Sequence, residues 1–202
     1  MKKFAALLFL ALVFALPASA EVIFSEVMAS NGVYTNGEAY DWVEIYNTGD
    51  KKVNLSGCWL SDSEKNLQKW AFPEGASVKA GEYVLVYLTG EEMTPGKNKT
   101  FYANFKISAE GDQLFLTDAQ GENLLAALEF GAQYGNVSWG QAHGSEETGF
   151  FRTATPGKKN EKQVYPQQAP QPELLTAGGF YESAVTVQAK GDGDVVLRYT
   201  LD

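Results

Sequence analysis

One cysteine and one histidine occur in 202 residues. A lone thiol cannot close an internal disulfide, and one imidazole beside one thiol cannot build a structural zinc site of four cysteines or of paired cysteines and histidines. Cations are scarce too: 16 Lys plus Arg stand against 25 Asp plus Glu, a formal charge of -9. That balance repels nucleic-acid phosphates and disfavours a reader of the DNA or RNA backbone. Long apolar runs are missing as well. The longest, Phe4 to Leu16, falls short of the roughly 20 residues that a spanning helix needs. From Glu21 onward no 3.6-residue period is long enough to nucleate a helix.

What is present begins with an address. Lys2 and Lys3 precede the Phe4 to Leu16 run, and Ala18-Ser19-Ala20 supplies the small residues that signal peptidase accepts. The pattern predicts a signal peptide over 1–20, cleavage between Ala20 and Glu21, and a secreted chain whose lone thiol, Cys58, is an inert core residue.

The remainder reads as all-β. Strands are expected at Val22 to Met28, Trp42 to Tyr46, Cys58 to Ser61, Trp70 to Phe72, Tyr83 to Leu88, Gln113 to Asp118, Leu124 to Phe130 and Val137 to Gly140. Turn chemistry lies between them at Asn47-Thr48-Gly49-Asp50, Gly111-Asp112 and Gln120-Gly121. Eight short strands suit a two-sheet sandwich over 21–160, with most aromatic side chains in its core. Prolines and glutamines with hardly an aliphatic side chain among them mark a linker at 161–172. Beyond it, Ser183 to Ala189 and Val195 to Thr200 are expected to pair around Gly191-Asp192-Gly193-Asp194. Residues 173–202 are too few for an unaided domain and read as the opening of an incomplete module.

Catalytic patterns are weak. His143 sits in a loop composition and is expected to be solvent-exposed, and Gly135-Asn136-Val137-Ser138-Trp139-Gly140 has one residue too many for a nucleophile elbow. Acids pair at Asp41 and Glu44, Asp62 and Glu64, Glu91 and Glu92, and Asp192 and Asp194, but nothing selects one pair for glycoside chemistry. Asp192-Gly193-Asp194 lacks the remaining ligands of an EF-hand loop. No catalytic, metal or cofactor site is expected. Among the indoles, Trp59 and Trp70 look structural, whereas Trp42 and Trp139 have polar neighbours and are the candidates for an exposed ligand-binding surface that stacks on sugars.

A set of blocks then appears in order. They are Glu26-Val27, Asp41-Trp42-Val43-Glu44-Ile45-Tyr46-Asn47, Val53-Asn54-Leu55-Ser56-Gly57-Cys58-Trp59-Leu60-Ser61-Asp62, Trp70-Ala71-Phe72-Pro73 and Ala80-Gly81-Glu82-Tyr83. Asn104-Phe105-Lys106-Ile107-Ser108, Gly111 to Asp118, Val137-Ser138-Trp139-Gly140 and Thr155-Pro156-Gly157-Lys158-Lys159-Asn160 follow. Together they resemble the bacterial lamin-tail domain over residues 21–160. Ser25 departs from the family's usual Asn before Glu26, and Trp139-Gly140-Gln141 replaces its commoner Tyr-Gly-Arg. The resemblance implies an immunoglobulin-like β-sandwich that acts in recognition.

Residues Pro172 to Asp202, ending Arg198-Tyr199-Thr200-Leu201-Asp202, resemble the start of the chitobiase or hexosaminidase C-terminal type of β module. Paired in this way, the two resemblances imply a larger multidomain parent, of the spore-coat kinase type or another secreted surface enzyme. The reading that follows is a secreted, non-catalytic module with a protein or glycan partner at a bacterial cell surface. The competing reading is a carbohydrate-binding accessory of a surface enzyme. An enzyme in its own right would need His143 beside a carboxylate and a hydroxyl in a cleft.

Overall fold

Strict alternation in Tyr83-Val84-Leu85-Val86-Tyr87-Leu88 sends Val84, Val86 and Leu88 to one face and Tyr83, Leu85 and Tyr87 to the other. The first set is fully buried and the second half-exposed, so this strand alone separates an inner from an outer side. The structure is a computed structural model and describes residues 21–33, 39–93, 100–170, 172–193 and 195–199. The signal peptide expected over 1–20 lies outside the described residues.

The strands are β1 (Val22–Met28), β2 (Asp41–Asn47), β3 (Val53–Asn54), β4 (Trp59–Ser61), β5 (Trp70–Ala71), β6 (Ser77–Val78) and β7 (Tyr83–Leu88). They continue as β8 (Thr100–Ala103), β9 (Gly111–Thr117), β10 (Leu124–Gly131), β11 (Trp139–Gln141), β12 (Thr148–Phe150), β13 (Glu173–Leu174) and β14 (Ala189–Lys190). No helix occurs among the described residues. A six-stranded sheet has the order β12-β11-β1-β2-β7-β8 and a four-stranded sheet the order β10-β9-β4-β5, while β3 pairs with β6 and β13 with β14. All pairings are antiparallel except β7 with β8. The fold is therefore the all-β two-sheet sandwich that the strand pattern predicts, in agreement with the immunoglobulin-like sandwich that the lamin-tail resemblance implies.

Val27, Val43, Ile45, Val84 and Val86 of the larger sheet meet Leu60, Leu114, Leu116, Ala126 and Phe130 of the smaller one in a single core. Each of these side chains larger than alanine contributes about 1.5–3 kcal/mol by leaving water. Two contacts set how the sheets overlap. Phe72, just after β5, packs edge-on against Phe101 of β8 with ring centroids 5.3 Å apart, and β10 packs over β1. One border of the small sheet thus lies over one border of the large sheet, and β11 with β12 projects past β10 at the other side.

Residues 161–169, read from composition as linker, are bonded along the sandwich. Tyr165 exchanges both backbone hydrogen bonds with Phe150, at 2.8 and 2.9 Å, and so occupies the outer edge of β12. The Gln168 side chain accepts from the Tyr134 N–H at 3.1 Å and donates to its carbonyl at 2.6 Å.

The hairpin expected between 183–189 and 195–200 is corrected. Its first segment turns back to Glu173–Leu174 instead, while residues 195–199 form no strand and Thr200 lies outside the described residues. The physical reason is a better partner: Lys190 Nζ lies 2.7 Å from Glu173 Oε2, and the Thr176 hydroxyl accepts from the Gln188 N–H at 2.8 Å. Little apolar surface is covered there, and Phe180, Val196 and Tyr199 remain exposed.

Candidate functional site

The outer face of the six-stranded sheet carries an unusual burden for a strand surface. An extra residue in β1 breaks the register between Phe24 and Glu26, and beyond this bulge Glu26 stands directly across from Glu44 of β2. Both carboxyls are fully buried. Sequence spacing paired Glu44 with Asp41, but residues three apart on a strand point to opposite faces. Glu44 pairs with Glu26 across the strands, and Asp41 turns away to accept from the Asn31 N–H at 3.1 Å.

The chain after β12 covers this pair. Thr155 donates its N–H to Glu26 at 3.1 Å and its hydroxyl to Oε2 at 2.9 Å, and the Ser138 hydroxyl reaches Oε1. Gly157 donates its N–H to Glu44 Oε2 at 2.6 Å, a geometry that its positive φ of 75° permits. Ser25 Oγ lies 2.6 Å from Glu44 Oε1. Asn160 fastens the segment by donating to the carbonyls of Ser25 and Gln141, at 2.8 and 3.0 Å. Gly140, opposite Glu26 on β11, makes the packing possible, since a Cβ there would stand 2.1 Å from the Ser25 carbonyl oxygen.

Burial decides the protonation. Desolvation pushes both carboxyls up, Glu44 to about 8, with the neighbouring Glu26 charge adding to its rise. Glu26 collects more donors and is the member suited to carry the charge. Glu44 is the neutral acid at pH 7, its proton able to bridge to Ser25 Oγ. Two buried anions side by side would be far more costly.

Beside this cluster a cleft of about 340 Å³ opens, lined by Ile23, Tyr46, Tyr83, Gln141, His143 and Asn160 among others. Tyr46 and Tyr83 are stacked across β2 and β7, 4.6 Å apart and 22° from parallel. Partial burial first, then Tyr46 and Glu44, pushes the Tyr83 phenol up to about 12. His143 lies over the cleft and stays partly exposed in its loop, and desolvation with help from Lys159 and Lys162 lowers its pKa. The cleft therefore offers the Tyr83 phenol in its neutral form at pH 7. The tyrosine face continues along the sheet, where Tyr87 stacks on Tyr102 at 5.7 Å and meets Tyr40 at 6.4 Å. Half-exposed aromatic rings with a polar tip suit recognition by stacking and hydrogen bonding.

Neither proposed indole forms an exposed platform. Trp42 lies between Met28 of β1 and Tyr87 of β7 in the middle of the large sheet and is only 3% exposed. Its polar neighbour Asp41 occupies the opposite face. Trp139, opposite Val27, points inward and packs half-buried against the core. Trp59 and Trp70 are half-buried; Trp59 Nε1 donates to the Ala119 carbonyl at 3.3 Å and Trp70 packs on Phe72. Cys58 is buried, and desolvation pushes its thiol up. Asp62 is engaged by Lys69 at 2.8 Å. Among the described residues no three His, Cys, Asp or Glu side chains gather as metal ligands. Sequence reasoning missed the Glu26–Glu44 pair and the tyrosine face. The available signals were carboxylates set inside apolar strand runs and tyrosines recurring at period two.

Two packed, mostly antiparallel sheets define an immunoglobulin-like sandwich. The Lamin Tail Domain family matches residues 16–132, more than half of the chain, and the chain belongs to that family. The match ends before β11, β12 and the segment that covers Glu26 and Glu44. No curated protein matches the chain.

Proposed function

We propose that this lamin-tail module is an exported, non-catalytic contact element at a bacterial cell surface, and that the tyrosine face of its large sheet is the contact surface. The observation that carries the reading is the set of half-exposed Tyr46, Tyr83, Tyr87 and Tyr102 on the same outer face, flanking the buried Glu44. Tyrosine gives large contact area with little conformational entropy to lose. Export is supported by the leader-like pattern of residues 1–20. The resemblance of residues 172–202 to a chitobiase-type module supports a second extracellular module beside the lamin-tail domain.

The test is binding of the labelled chain to intact bacterial cells, compared with a Tyr83→Ser, Tyr87→Ser double variant that keeps the wild-type thermal transition. Loss of binding in the variant supports the reading, and equal binding of both overturns it. A carbohydrate-binding role draws no support from Trp42, whose ring is enclosed. It would rest on the Tyr46–Tyr83 cleft, and a glycan array with and without Tyr46→Ser distinguishes it.

A further inference from the structure

Four sheet edges of the sandwich end in open or covered strands, and they are not equivalent. The β12 edge is occupied by Tyr165, β5 is two residues long and β8 four. The remaining edge, β10, is eight residues long, and its register against β9 is regular from Ala126 to Gly131. Its far side is bonded to no described strand. Leu124-Leu125-Ala126-Ala127-Leu128-Glu129-Phe130-Gly131 holds a single charge and no proline, so the usual devices that blunt an edge are nearly absent. Leu125 and Leu128 are only partly buried against the core.

The sheet overlap adds a floor. Because β11 and β12 project past β10, a strand laid along β10 would rest over them. Trp139 faces inward there opposite Val27, and Phe150, its partner on β12, shares that face. Both are half-buried. A groove of about 610 Å³ continues from Phe150, bounded by Tyr134, Val137, Tyr165 and Pro170, with Arg152 its one cation.

Charge chooses the occupant. Residues 107–151, which build β9 to β12, contain no lysine or arginine but include Glu110, Asp112, Asp118, Glu122, Glu129, Glu146 and Glu147. Glu110, Asp112 and Glu129 cluster at the Gly131 end of the edge, and Asp118 and Glu122 flank its Leu124 end. In an antiparallel pairing of two copies these acidic ends would abut, which like-charge repulsion opposes.

We propose that the β10 edge docks an extended peptide with an apolar, β-branched centre and lysine or arginine at its ends, taken up as a fifth strand of the four-stranded sheet. Main-chain hydrogen bonds to β10 hold it, Trp139 and Phe150 receive its inward side chains, and the two acidic ends set its position. This surface is separate from the tyrosine face and does not depend on it.

The probe is a short synthetic peptide of alternating valine and threonine with two lysines at each end, titrated against the full chain by fluorescence anisotropy. The control carries glutamates in place of the lysines. At low salt the lysine peptide is expected to bind at least about tenfold more tightly, and hydrogen exchange is expected to slow within residues 124–131. A Glu122→Lys, Glu129→Lys double variant removes most of the difference between the two peptides. N-methylation of the central valines, which removes backbone donors and leaves the protein untouched, abolishes binding. Tyr83→Ser with Tyr87→Ser leaves binding unchanged. Equal affinity for both peptides, protection on another strand, indifference to N-methylation, or loss of binding in the tyrosine variant would each overturn the proposal. So would slowed exchange in β10 that appears with rising protein concentration and no peptide, since the occupant would then be a second copy.

Discussion

Glu26 and Glu44 face each other from adjacent strands with no solvent at either carboxyl, and the loop from Thr155 to Asn160 supplies donors to both. One consequence is a pH dependence opposite to that of an ordinary salt-bridged acid. Burial raises the folded-state pKa of Glu44 to about 8, above its ordinary value of 4.5. Its favourable contribution is complete below the unfolded value and is lost as pH rises through 8. Wild type should lose stability relative to Glu44→Gln between pH 4.5 and 8, with a slope of up to about 1.4 kcal/mol per pH unit. Urea unfolding of both proteins across that range measures the difference, which vanishes if Glu44 is ionised in the native state.

Glu26→Ala strips acceptors from the Thr155 N–H, the Thr155 hydroxyl and Ser138. Leaving buried donors unpaired costs about 1–3 kcal/mol each, less whatever water recovers. The expected result is a clear fall in the denaturant midpoint and faster hydrogen exchange at Thr155.

Asn160→Ala cuts the ties to the Ser25 and Gln141 carbonyls without touching either acid. A loss of about 1–3 kcal/mol is expected, together with greater protease sensitivity in the 155–160 loop. Limited proteolysis with mass mapping tests this.

Gly140→Ala would place a methyl 2.1 Å from the Ser25 carbonyl oxygen and 2.9 Å from the Glu26 Cα. Both obstacles are backbone, so β11 must separate from β1. A destabilisation of about 1–3 kcal/mol or more is expected from calorimetry.

Trp42→Ala removes an enclosed indole and should cost about 3–5 kcal/mol in unfolding free energy. Unchanged stability would mean that the ring is free in solution and would restore it as a stacking surface.

The strands were legible where local chemistry alone decides them. Tyr83 to Leu88 alternates without exception, and Val22 to Met28 appeared with its observed bounds. The two-residue strands β3 and β6 were not, because Val53–Asn54 and Ser77–Val78 are too short to show a period and exist only by pairing with each other. The edge strand β8 likewise owes its place to β7. Trp42 misled because Asp41, next to it in sequence, occupies the opposite face of the same strand.

Composition and period-two patterning were by themselves enough to establish an all-β sandwich without a cysteine–histidine zinc site, because both follow from residue type and nearest-neighbour geometry. Which carboxylates meet, which tyrosines stack and which edge stays open were decided only in three dimensions. A bulge at Ser25 and the overhang of β11 and β12 bring together residues more than a hundred positions apart, such as Glu26 and Thr155. Register and sheet overlap are properties of the assembled layers, and no local stretch of the chain carries them.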